Sequence, residues 1–308
     1  MTTETPTPLA DWIHTAWDEH AADAEGVMSR FGESLGLVTE AKDLAPLATL
    51  MTHVAANHLG RYEDGLALMD KLSALGVFEA GEANSLSVAR CKAMLYLCMG
   101  DNERAAAFEG EGHPEELPRA STSIRVCMAA AGALGQQGQA ETARSLYLDA
   151  IQLAAYGPVL GDPAAGALAM NSNNMACELE VRESRTAEDD ELLELAAKTA
   201  RRYWEVAGSW VQVKIAEYRL AMTYIALGNG DLATEHAKLA LAICDANEAA
   251  DEERFFPLEA LARARFCAGD SEGAKAARAR AASALEAASE GNREWFAGSL
   301  VELDRFLG

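Results

Sequence analysis

Proline, aromatic residues and basic residues are all scarce in this chain. Of 308 residues only 8 are proline, and 6% are aromatic. No run of β-branched or aromatic residues bounded by turn residues occurs, so few or no strands are expected. Lysine and arginine number 26 against 48 aspartates and glutamates, giving a formal net charge of -22. No basic cluster is longer than Arg201-Arg202. A nucleic-acid partner is therefore not expected, because a phosphate backbone is held by gathered Lys and Arg. An anionic membrane surface is disfavoured on the same ground. The acidic balance itself reads as a solubilising surface or, more sharply, as attraction to a basic partner.

Long apolar runs are missing too. The least polar stretch, 126–135, is far too short to span a bilayer. Residues 1–8 carry neither the basic nor the apolar region of a signal peptide. The six cysteines (Cys91, Cys98, Cys127, Cys177, Cys244 and Cys267) are scattered without a CxxC pair. A disulfide framework is not expected, and a reduced, cytoplasmic setting fits.

Motifs that carry chemistry are equally absent. There is no GxSxG elbow, no HExxH, no EF-hand loop and no GxxxxGK[ST]. A nucleophile needs a base in reach and an orienting group behind it, and no cysteine stands beside a histidine in sequence. His53 and His58 are five apart, about 140° around an α-helix, which puts them on different faces. His14 and His20 also fail the i, i+4 test. The acidic run Glu188 to Glu191 reads as a helix start at Thr186, because carboxylates favour the positive end of the helix dipole. No metal, no cofactor and no enzymatic activity are expected.

Ala, Leu, Glu and Arg dominate long stretches, and these are strong helix formers. Five glycines end one apolar helical pattern and precede another: Gly60, Gly100, Gly138, Gly228 and Gly269. They lie near multiples of 40 residues apart, and the widest gap has room for a sixth unit at 164–207. Seven residues before each glycine stand His53, Ala93, Ala131, Ala221 and Ala262. Four before stand Ala56, Tyr96, Leu134, Tyr224 and Arg265, and five after stand Gly65, Ala105, Ala143, Ala233 and Ala274. Small residues at fixed points are what two closely crossing antiparallel helices require, and glycine permits the turn between them.

These columns resemble the tetratricopeptide repeat, best over Ala221, Tyr224, Gly228, Ala233, Ala240 and Leu241, then over Ala131, Leu134, Gly138, Ala143, Tyr147 and Ala150. The resemblance covers about 45–285. It departs from the family in lacking the Trp of the first helix and in a period near 40 rather than 34. It implies an all-α fold, an α-solenoid (right-handed superhelix) of about six antiparallel helix hairpins. Residues 1–44 and 286–308 are expected to cap a single repeat domain, the latter as a helix begun at Asn292 with Trp295 and Phe296 in the core. The second unit breaks after Phe108 into glycines and prolines, so its second helix is expected to be short.

In that family the first helix of each hairpin lines a concave groove. Carrying the register over gives Asn57, Arg90, Arg125, Asn173, Asn174, Tyr218, Arg219 and Arg263 as the groove residues. Side-chain amides can pair with an extended peptide, or they can tie helices together. An inward set of arginines suits a carboxylate or acidic peptide through forked hydrogen bonds; the competing reading pairs them with Glu217, Glu259 or an acid of another helix. Met94, Met128 and Met222 are an adaptable groove floor or ordinary core. The expected function is a non-catalytic scaffold binding a protein or peptide. The alternatives are a sensor of a small ligand or signalling peptide, and an assembly part that forms a homodimer through a terminal face.

Overall fold

The computed structural model describes residues 8–308. The expectation about a leader at 1–8 falls, apart from Pro8, outside the described residues. The described residues form fifteen α-helices, with short 3-10 and π turns and no strand. No helix among them is long and apolar enough to cross a membrane.

In chain order the helices are α1 (Pro8–Glu19), α2 (Ala24–Leu35), α3 (Leu44–Thr52), α4 (Tyr62–Ser73), α5 (Leu86–Cys98), α6 (Asn102–Glu111), α7 (Arg119–Gln136) and α8 (Ala140–Leu153). They continue as α9 (Pro163–Glu180), α10 (Ala187–Ala207), α11 (Trp210–Ala226), α12 (Gly230–Ala246), α13 (Phe255–Cys267), α14 (Ser271–Glu286) and α15 (Glu290–Leu307). The helices α9 and α10 fill the interval where the doubled glycine spacing places a sixth unit. The helix α6 is short, ending where Gly110, Gly112 and Pro114 begin.

The chain divides into two compact units: residues 1–158 with 162–167, and residues 159–161 with 168–308. Within each, consecutive helices pack as antiparallel hairpins, the arrangement of an α-solenoid. In the first unit α5 pairs with α6 and α7 with α8, while α3, α5 and α7 stack on one another. In the second unit α11 pairs with α12 and α13 with α14, and α11 stacks on α13.

The hairpin turns follow from their glycines. Gly100, Gly138, Gly228 and Gly269 have φ between 74° and 80°, the left-handed region that side chains with a Cβ avoid. In each, the residue after the glycine donates to the carbonyl of the residue four before it: Asp101 to Tyr96, Gln139 to Leu134, Asn229 to Tyr224 and Asp270 to Arg265. This is the Schellman closure of a helix end. Asp101, Asn229 and Asp270 then cap the next helix, accepting from Arg104 N, Leu232 N and Gly273 N. The small columns on either side are sealed: Ala93, Ala131, Ala221 and Ala262, and Ala105, Ala143, Ala233 and Ala274, are all at most 2% exposed. A Cβ at Gly65 would stand 3.0 Å from Leu95 and 3.3 Å from Ala55, so the crossing is as close as the small residues demand.

The first turn departs from this pattern. Residues His53–His58 continue α3 as a π-helical turn. Leu59 donates to Val54 and Arg61 to Ala55, one residue further back than at the other four turns. One surplus residue is thus inserted ahead of Gly60 (φ 63°), and the column register upstream of that glycine slips by one.

The ends are built as caps. In the first unit Val27 and Phe31 of α2 join Leu44, Leu47, Met51 and Leu72 in the core, with Trp12 against Phe31 at 5.7 Å. In the second unit Phe296 of α15 stacks on Phe255 at 4.3 Å. Trp295, expected beside it in the core, is 61% exposed; one step along a helix turns a side chain by about 100°, and here that step carries it out of the core. The cap of α15 is Ser289 rather than a residue beside Asn292.

Candidate functional site

The eight groove residues expected from the sequence fall into two groups, one in each unit. In the second unit, all the arginines are already answered. Arg219 of α11 donates to Glu180 of α9 at 2.5 Å. Arg263 of α13 makes two contacts to Glu259 one turn earlier, 2.8 and 2.7 Å, and Tyr218 donates to the same carboxylate at 3.3 Å. Burial works against the Arg219 charge, yet Glu180 outweighs it and raises the guanidinium above its ordinary value. Burial pushes the Tyr218 phenol up, so it stays a neutral donor. Asn173 donates to Cys177 Sγ at 3.8 Å, while its Oδ1 is buried without a partner. Asn174 stands exposed on α9.

In the first unit the arginines are not answered. Arg90 of α5 and Arg125 of α7 are half-buried, and neither forms an ion pair among the described residues. Arg90 donates to the Gly112 carbonyl at 2.9 Å. The backbone there comes so close that a Cβ on Gly112 would stand 2.7 Å from Arg90 Cγ. Arg90 is pulled down to about 10, by burial first and then by the neighbouring charge of Arg125. Burial lowers Arg125 as well, opposed by the more distant charge of Asp162. Both guanidiniums remain charged at neutral pH, and Arg125 bears on Arg90 electrostatically, with no acid within ion-pair distance of either among the described residues.

Asp162 acts on Arg125 only from beyond ion-pair distance, its carboxylate being held by other donors. It accepts from Ser121 Oγ at 2.6 Å, Tyr156 OH at 2.6 Å and the Ala164 amide at 2.9 Å. Burial alone would raise this carboxyl, but the three donors and Arg125 hold it below its ordinary value. Cys91, next to Arg90, is a free thiol pushed up by burial, and so is not a reactive thiolate. Met94 and Met128 are core, 4% and 0% exposed. Asn57 lies in the π turn, its carbonyl accepting from Gln137 Nε2 at 2.6 Å. The site that remains open is therefore the arginine pair, two forks of N–H donors in partly dry surroundings, which match the oxygens of a carboxylate or phosphate.

Sequence spacing missed one cluster. The π turn brings His53 and His58 onto one face, Nε2 to Nε2 at 3.1 Å, where α-helical geometry would hold them about 140° apart. His20, just past α1, joins them with ring centroids at 5.0 and 4.8 Å. The signal was present in the columns: His53 is the one large residue in a position otherwise occupied by alanine.

No family model matches the chain, and no curated protein matches it. Among solved structures, that of BtubC (BKLC) from P. vanneervenii is similar at 15% identity, covering 81% of this chain and 92% of that one with a TM-score of 0.45.

Proposed function

We infer that this protein is a non-catalytic binding scaffold of the tetratricopeptide-like kind, and that its first unit recognises an acidic segment of a protein or peptide. The observation that carries this reading is Arg90 and Arg125, two half-buried guanidiniums within electrostatic reach of each other and outside any ion pair. Bringing like charges together in a partly desolvated place is unfavourable unless an anion arrives to share them. The helices α5 and α7 that carry them pack on each other, so one extended acidic segment can run past both.

The test is calorimetric titration with a short peptide rich in Asp and Glu, beside its Asn and Gln counterpart. The acidic peptide is expected to bind the wild type, to weaken as salt rises, and to bind about tenfold or more weakly to Arg90→Gln and Arg125→Gln. Equal binding of both peptides, or unchanged affinity in both variants, would sink the reading. A small dicarboxylate bound as tightly as the peptide would replace the scaffold by a small-ligand sensor.

A further inference from the structure

The histidine cluster of the first unit is not used by the arginine site. His53 and His58 stand at the two ends of the π turn, and His20 comes from the turn after α1. One ring nitrogen from each lies within 4.8 Å of the others. All three rings are half-buried. The groups facing them are the rings themselves and Trp17, whose centroid is 5.0 Å from both His20 and His53. The neighbouring histidine His14 is turned to Asp18 instead. No acid accompanies the cluster among the interactions that shift its members, which are burial and the other histidines.

The ring orientations are those of ligands. The Trp17 carbonyl lies 2.6 Å from His20 Nδ1. A carbonyl only accepts, so Nδ1 carries the proton and Nε2 is left with its lone pair. A histidine whose other nitrogen is tied to a carbonyl is the usual arrangement around a bound metal. His53 and His58 turn their Nε2 atoms toward each other. Two ligands of a tetrahedral ion at about 2.0–2.1 Å sit about 3.3 Å apart, and 3.1 Å is close to that separation. The His20 ligand nitrogen stands within 4.8 Å of both, so its ring would have to close in on the ion. A π turn is a deviation found mostly where function requires it, and here its effect is to bring two imidazoles together.

The geometry points to His20, His53 and His58 as a binding site for a divalent ion of the zinc class, with water completing the fourth position. Imidazole ligands suit zinc, copper, nickel and iron and not calcium or magnesium. The ion would tie the end of α1 to the end of α3, two segments more than thirty residues apart in sequence.

The experiment uses the full chain, stripped with a chelator, and titrates it with Zn²⁺ by calorimetry and with Co²⁺ by visible absorption. The expected result is one equivalent bound per chain, a tetrahedral cobalt band without thiolate charge transfer, and a melting temperature that rises with zinc. His53→Gln and His58→Gln are each expected to weaken binding by about 100-fold, and His20→Gln by about tenfold or more. The exposed His14→Gln leaves it unchanged. No saturable binding below about 1 mM, a thiolate-type cobalt spectrum from the free cysteines, or affinity retained in all three variants would overturn the site. Because the stoichiometry and cobalt spectrum are read on the wild type, a variant that fails to fold does not remove the test.

Discussion

The arginines expected to line the groove meet opposite surroundings in the two units. Arg219 and Arg263 each lie on a glutamate, with Tyr218 completing the second pair. Arg90 and Arg125 form no ion pair among the described residues, and Arg90 donates to the Gly112 carbonyl. The same residue type is therefore structural in one unit and open in the other. What decides is whether an acid stands within reach, on another helix for Arg219 and one turn back on the same helix for Arg263. The largest expected effect tests that division. Glu180→Ala leaves Arg219 buried and unpaired, and is expected to cost about 3 kcal/mol in urea unfolding. Arg125→Gln, which breaks no ion pair, is expected to cost less than about 1 kcal/mol while weakening acidic-peptide binding. Equal losses from the two substitutions would erase the distinction between the units.

A second way to sharpen the contrast is to disturb the support of Arg90. Gly112→Ala places a methyl against Arg90 Cγ and within 3.0 Å of the Arg90 amide. Thermal unfolding is expected to show a loss of about 1–3 kcal/mol, from overpacking between α5 and α6, together with weaker acidic-peptide binding. A stable variant with unchanged binding would detach the arginine pair from the α6 terminus.

Within the second unit two buried glutamates allow a finer test. Glu217 receives His236 at 2.7 Å and Arg201 at 2.5 Å. Burial pushes this carboxyl up, but these partners outweigh it and hold it below the 4.5 of an ordinary glutamate. Its stabilisation is complete above pH 4.5 and is lost as pH falls through the lower folded value. Burial wins at Glu259, despite Arg263 and Tyr218, and raises that carboxyl. Its contribution has the opposite sign, present below pH 4.5 and lost as pH rises through the folded value. Chemical unfolding between pH 4 and 8 is expected to show Glu259→Gln gaining on the wild type as pH rises and Glu217→Gln losing ground. Parallel curves would refute the assignment of opposite shifts.

The smallest expected effect lies at the start of α10. Thr186 accepts from Asp189 N, and Asp189 reaches back to the Thr186 amide at 3.1 Å. Removal of the cap by Thr186→Ala is expected to cost about 1 kcal/mol by urea unfolding; no change would mean that the capping box contributes nothing to α10.

That cap was legible in the sequence, as were the four regular turns, because each depends on residues within a few positions of one another. Gly100, Gly138, Gly228 and Gly269 with their flanking alanines specify turn and crossing locally. The partner of Arg219 was not legible, since Glu180 is 39 residues away and reaches it only through packing. Glu259 was, being one helical turn from Arg263. The histidine cluster was hidden by an assumption about geometry. Counting 100° per residue separates His53 from His58, and only the slipped carbonyl pairing at Val54 and Ala55 reunites them. Trp295 shows the converse: an aromatic residue reads as core by type, yet its helix phase turns it outward.

The surplus residue before Gly60 also has a consequence for how this chain can change. Deleting one residue from 53–58 would restore ordinary helix geometry and rotate everything upstream by about 100°. Leu47, Leu50 and Met51, which now point into the core, would swing away from it, and α1 and α2 would lose the surface they lie on. The surplus residue is thus hard to remove, because α1 and α2 are packed to the phase that it sets.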